Sequence, residues 1–200
     1  MDDRKLSDTE LLAGLLQRRP EAFRQLVERR KHQVLNICYR FVHNAEDAED
    51  IAQETFVEVY RSIASFRKSS SLQTWIYRIA VTRSLNFIRN QKRLKRGGAV
   101  QEISRDAEGA AELPGPAIDD PHQALEQKER RQVLAQALDR LPQNQRIAFI
   151  LSKYEEISHQ DIAGILGTTV ASVEALVHRA KTNLQKRLST YYRGASQKSA

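Results

Sequence analysis

The sequence predicts an all-α chain: two small helical domains joined by a flexible acidic linker, the C-terminal one containing a helix-turn-helix. Three observations carry this. Apolar residues recur every three to four positions through most of the chain, with no alternating stretch that would mark a strand. Composition agrees, since 40% of the 200 residues are hydrophobic but only 6% aromatic, which favours helix formers over strand formers. Glycine and proline gather in one place, Gly97 to Pro121, which holds Gly97, Gly98, Gly109, Gly115, Pro114, Pro116 and Pro121.

That stretch divides the chain into residues 1–96, 97–121 and 122–200. Residues 1–96 carry 19 basic and 12 acidic side chains, a net of +7. The connector carries 1 basic and 6 acidic, a net of −5, and residues 122–200 carry 12 and 7, a net of +5. A segment so poor in apolar periodicity does not fold alone and reads as a linker. Loops of this length are uncommon inside compact domains. The two basic modules suit a polyanionic partner, and the acidic connector repels one.

The first module opens with Leu11, Leu12, Leu15 and Leu16. After a break at Pro20, helical spacing continues through Phe23, Leu26, Val27, Val34, Ile37, Cys38 and Phe41. Asn44 has the chemistry of an N-cap, with Glu46, Asp47 and Glu49 in the turns that follow. Ile51, Thr55, Phe56, Val59 and Ile63 form the apolar face of that helix. Ser65 to Ser71 is a polar break, and a helix from about Leu72 to Lys95 places Trp75, Ile76, Ile79, Ala80, Leu85 and Ile88 on its apolar side.

In the second module Leu125, Val133, Leu134, Ala137, Leu138 and Leu141 mark a helix that stops before Pro142. Ile147, Ala148, Ile150 and Leu151 mark another. Residues 158–188 then carry the most specific local signal. Ile162, Ala163 and Leu166 share a face, small Ala163 allows close approach, and Gly167 suits the left-handed backbone of a sharp turn. Val170, Val173, Val177, Ala180, Leu184 and Leu188 make the buried stripe of the next helix. Ser172, Ala175, His178, Arg179 and Thr182 face away from it, as on a helix laid in a major groove. After Glu174 there is no acidic residue but six basic ones, suited to phosphates. The plainer alternative is a helical hairpin with a solvated basic end.

From Val59 to Gln101 there is no Asp or Glu, while ten Lys and Arg and five aromatics occur. Cations meet phosphates and aromatic faces stack on unpaired bases, at about 1–3 kcal/mol per base. Trp75 lies on the apolar face and reads as core before platform. The polar break Arg67-Lys68-Ser69-Ser70-Ser71 is the better candidate for meeting an extruded base. Upstream, Asp47, Asp50, Glu54 and Glu58 are spaced three, four and four and share one helix face. Helix polarity accounts for the first of these but not for Glu54 or Glu58. A basic protein surface would accept this stripe, which is otherwise a plain solvated face.

Three motifs, in order, resemble the sigma factors of bacterial RNA polymerase. Asp47-Ala-Glu-Asp-Ile-Ala-Gln-Glu-Thr-Phe56 resembles their core-polymerase-binding helix. Thr74-Trp-Ile-Tyr-Arg-Ile-Ala80 resembles their promoter-melting and −10-reading segment. Leu141-Pro-Gln-Asn-Gln-Arg146 with Glu156-Ile-Ser-His-Gln-Asp-Ile-Ala163 resembles their −35-reading domain. The short connector points to the extracytoplasmic-function group. The resemblance implies that Asp50, Gln53 and Glu54 grip the polymerase core enzyme. It implies that Arg67, Lys68, Ser70, Trp75, Tyr77, Arg78, Arg83, Asn86 and Arg89 meet the −10 element, and that Ser172, Ala175, Leu176, His178, Arg179 and Lys181 meet the −35 element. It further implies an anti-sigma partner and a linker that threads the polymerase's RNA-exit path.

One departure stands out. Glu174, Ala175 and Leu176 occupy positions where the family often has Lys or Arg, Ser and Arg, so two cations become an anion and an alkyl chain. A carboxylate there can accept a hydrogen bond from cytosine. The rival function is a stand-alone helix-turn-helix regulator, which explains the C-terminal motif but neither the acidic stripe nor the carboxylate-free stretch. No phosphate loop, metal-ligand cluster or nucleophile–base pair marks an enzyme, and no cofactor or metal is expected. The single cysteine, the absence of a secretion signal and the lack of a spanning apolar run predict a cytoplasmic protein that does not insert into membranes.

Overall fold

The computed structural model describes residues 6–67, 70–96 and 121–198, and every regular element among them is helical. The chain divides into two compact units, Met1–Ala111 and Glu112–Ala200. The expected linker lies outside the described residues except for Pro121, which opens a helix, its fixed φ suiting the first helical turn.

The first unit holds α1 (Asp8–Leu16), α2 (Pro20–Val42), α3 (Ala45–Ser62), a 3-10 turn (Ile63–Ser65) and α4 (Leu72–Arg96). Ser7 caps α1 with a reciprocal box, its hydroxyl accepting from Glu10 N–H while the Glu10 carboxylate accepts from Ser7 N–H at 2.8 Å. Pro20 at the start of α2 turns the break seen in sequence into a helix beginning. Asn44 caps α3 as expected, its Oδ1 accepting from Asp47 N–H at 2.9 Å. Helices α2, α3 and α4 pack on one another and α1 packs on α2. Their shared core is built from Leu26, Val34, Ile37, Cys38, Phe41, Ile51, Phe56, Val59, Ile76, Tyr77, Ala80 and Val81, all buried. Two hydroxyls enter it without stranding a donor: Thr55 Oγ1 donates to the Ile51 carbonyl at 2.7 Å and Ser84 Oγ to that of Ala80 at 2.9 Å.

The second unit holds α5 (Pro121–Asp139), α6 (Gln143–Lys153), α7 (His159–Leu166) and α8 (Val170–Lys198). Ala137, Leu138 and Leu141 pack against Ala180 and Leu184 of α8, with Leu134, Phe149, Tyr154 and Leu188 around them. Buried Arg146 ties the corner between α5 and α6 through Asp139 Oδ1 at 2.7 Å. Ser158 caps α7, and Gly167 closes it at φ +64. These are the two helices and the turn that the sequence marked. The second helix runs on to Lys198, well beyond the buried stripe that ends near Leu188.

Candidate protein and nucleic-acid interfaces

The acidic row on α3 follows from its capping and its stripe. With Ala48, Ile51, Ala52, Thr55, Phe56 and Val59 buried, the residues offset from them must face outward. Asp50, Gln53 and Glu54 are exposed; Asp47 and Glu58 are half-buried at either end of the row. Nothing in the sequence indicated what holds Glu54 and Glu58. Arg83 of α4 reaches across, donating through Nη1 to Glu54 at 3.3 Å and through Nη2 to Glu58 at 2.8 Å.

Helix α4 starts where Ser71 Oγ accepts from Thr74 N–H at 3.0 Å, so the last serine of the polar break is an N-cap. Its exposed face carries Arg78, Thr82, Asn86, Arg89 and Arg93, spaced four, four, three and four. Arg89 Nη1 donates to Asn86 Oδ1 at 3.4 Å, so the two lie side by side. Arg67 is exposed and Ser70 half-buried at the break, while Lys68 lies outside the described residues. Trp75 is half-buried, its ring 5.4 Å from that of Phe66 across the break, so both rings anchor the helix start.

One expectation is corrected. Tyr77 is only 1% exposed and its hydroxyl accepts from Gln73 Nε2 at 3.0 Å. It lies on the stripe with Ile76, Ala80, Val81 and Ser84, and no ring face is left for a base. Interleaved aromatics and cations do not reveal on which side of a helix each falls; the three-to-four spacing around Tyr77 carried that signal.

In the second unit the outward side of α8 presents Glu174, His178, Arg179 and Lys181, all exposed, with Ala175 and Leu176 half-buried. Ser172 is half-buried in the cap of α8: Thr169 Oγ1 accepts from Ser172 N–H at 3.2 Å and donates to Ser172 Oγ at 3.0 Å. Asn183 Nδ2 donates to Gln145 Oε1 at 2.9 Å and fixes the rotation of α8 on α6. Glu174, the departure noted above, stands 3.9 Å from His159 of α7, whose other nitrogen is 3.3 Å from Ser152 Oγ. Its carboxylate, 63% exposed, thus lies near the junction of the two helices of the motif.

Each unit corresponds to a family model. Sigma-70 region 2 matches residues 26–94, from α2 into the last turn of α4, and Sigma-70 region 4 matches residues 131–184, from α5 into α8. The chain is 31% identical over 192 residues to the RNA polymerase sigma-H factor of Pseudomonas aeruginosa, covering 94% of this chain and 97% of that one. The chain is a sigma factor of the sigma-70 family, of the extracytoplasmic-function group. It is likewise 30% identical over 190 residues to the ECF RNA polymerase sigma-E factor of Escherichia coli K12, covering 94% and 98% of the two chains. The fold of this sigma factor is shared with CnrH, solved in complex with the cytosolic domain of CnrY, at a TM-score of 0.65 and 22% identity over 92% of this chain and 97% of that one. It is shared also with the sigma factor RpoE solved with the anti-sigma factor NepR from Bartonella quintana, at 0.63 and 23%, covering 84% and 96%. Among the described residues of this sigma factor, no helix is long and apolar enough to cross a membrane.

Proposed function

We propose that this sigma factor binds core RNA polymerase through the exposed edge of α3, at Asp50, Gln53 and Glu54. It then directs the enzyme to promoters and helps open them. Arg78, Asn86 and Arg89 of α4, with Arg67 at the preceding break, would follow the −10 strand. His178, Arg179 and Lys181 of α8 would lie on the −35 duplex. Cations at helical spacing on exposed faces neutralise phosphates, and the unit whose α4 offers them also offers, on α3, carboxylates that DNA would repel.

That separation of charge within one unit carries the reading. A stand-alone regulator has use for the cationic faces but none for an exposed acidic edge. The protein acts in this reading by binding, without catalysis of its own, in the cytoplasm, where core polymerase and promoter DNA are found. An anti-sigma protein is the expected antagonist, since the sigma factor RpoE, which shares this fold, is solved with one. The −35 preference would follow Glu174 as well as the cations around it.

Start-site mapping of transcripts tests the proposal. Core polymerase is mixed with the full chain and a library of promoter fragments. Initiation at defined positions that depends on two spaced elements is expected. Transcripts identical with and without the chain overturn it.

A further inference from the structure

We infer that Arg83 is a positioning residue for polymerase docking and not a phosphate contact: its guanidinium holds Glu54 and Glu58 in place on the docking edge of α3. The inference rests on the reading of that edge as the polymerase-binding surface. It replaces the expectation that Arg83 follows the −10 strand.

Three observations carry it. The first is direction. Arg83 stands five residues after Arg78, about 140° around the helix, so it leaves the row that Arg78, Thr82, Asn86, Arg89 and Arg93 form. It turns toward α3, while that row faces outward. The second is occupancy. Both terminal nitrogens are engaged, at 3.3 Å on Glu54 and 2.8 Å on Glu58, so a phosphate would have to displace two carboxylates to reach them. The third is exposure. The Arg83 and Glu58 side chains are each 36% exposed while Glu54 is 63% exposed, so the guanidinium sits behind the carboxylate that reaches solvent.

The physical role follows. Glu54 and Glu58 are four apart on one helix and repel each other. Unheld, they splay, and each must be ordered again when a partner docks, which costs rotamer freedom. A forked guanidinium between them cancels the repulsion and sets both in one geometry. Lysine, a compact charge on a flexible stem, lacks the planar fork that fixes two carboxylates in one geometry. The effect belongs to the lifetime of the complex. Removing the cation makes the edge more negative, which does not slow encounter with a basic surface, while loss of order speeds departure.

The test uses the full chain and core polymerase, with association and dissociation rates measured for wild type, Arg83→Gln, Arg83→Lys, Glu58→Gln and the Arg83→Gln/Glu58→Gln pair. Arg83→Gln is expected to dissociate about two- to five-fold faster, with association no slower. Arg83→Lys should fall between it and wild type, and the double variant should lose little beyond either single one. The salt dependence of binding to a −10 single strand should be the same for Arg83→Gln and wild-type holoenzyme. An unchanged dissociation rate, additive effects in the double variant, or a salt slope reduced by about one would overturn the inference. If Arg83→Gln unfolds, Arg83→Lys decides by the same rates. Failure of the wild-type chain to bind core polymerase overturns instead the reading of the α3 edge.

Discussion

Removing Asp139 should damage the second unit more than removing its buried partner Arg146. Arg146 is 8% exposed, and burial pulls its pKa below the usual value, an effect that nearby Asp139 partly offsets. Its Nη2 stands 2.7 Å from Asp139 Oδ1, whose side chain is 45% exposed. Leaving one member of a fully buried pair uncompensated costs about 3–5 kcal/mol. With the carboxylate half in water, about half of that applies, so Asp139→Ala should cost about 2 kcal/mol. Arg146→Met removes the charge and keeps an unbranched chain in the same space, which should cost less than about 1 kcal/mol. Native-state hydrogen exchange on the full chain is the assay, because it reads α6 and α8 amides separately from those of α2. Protection in α6 should fall for Asp139→Ala and stay near wild type for Arg146→Met, with α2 unchanged in both. Equal losses, or a greater loss for Arg146→Met, would refute the reasoning.

Three other outcomes are expected. Burial pushes the Cys38 thiol from 9.0 up to about 12, so keeping it protonated favours the folded chain; this advantage is full below pH 9 and lost as pH rises toward 12. Alkylation of Cys38 at pH 8 should therefore proceed only at the rate of unfolding, and Cys38→Ala should flatten the fall in stability between pH 9 and 12. At Gly167 an added Cβ would meet nothing within 4 Å, so Gly167→Ala should cost only the left-handed backbone penalty of about 1 kcal/mol, read as lower protection in α7 and α8. Arg179→Ala should weaken binding to the −35 duplex and make its salt slope shallower by about one; an unchanged slope would mean that Arg179 meets no phosphate.

What could be read from the sequence was what depends on neighbours along a helix. Apolar spacing located the helices. Asn44 before Glu46 and Asp47 announced a cap, and Gly167 after Leu166 announced a turn. The burial of Tyr77 has a local signal, the stripe it shares with Ile76, Ala80 and Val81, whereas charge and aromatic content alone point it at DNA. The cap at Ser71 is not distinctive in sequence, because a serine-rich break suits an N-cap as well as a loop. The ion pairs lay further out of reach. Glu58 and Arg83 are 25 residues apart, and their meeting depends on how α3 and α4 pack, which periodicity does not specify. The same holds for Asn183 and Gln145, 38 apart. Cations can be counted in a sequence, but whether one faces a phosphate or a carboxylate is decided by tertiary structure.

If the exposed edge of α3 is where polymerase binds, Glu54→Lys should disrupt binding. Affinity of the full chain for core polymerase at low salt is measured for wild type and variant, with helix content and thermal unfolding recorded alongside. Firm wild-type binding is expected, with a loss of at least about tenfold in the variant, because a cation set against a basic surface costs several kcal/mol. Equal affinities in two folded proteins would contradict polymerase binding at that edge.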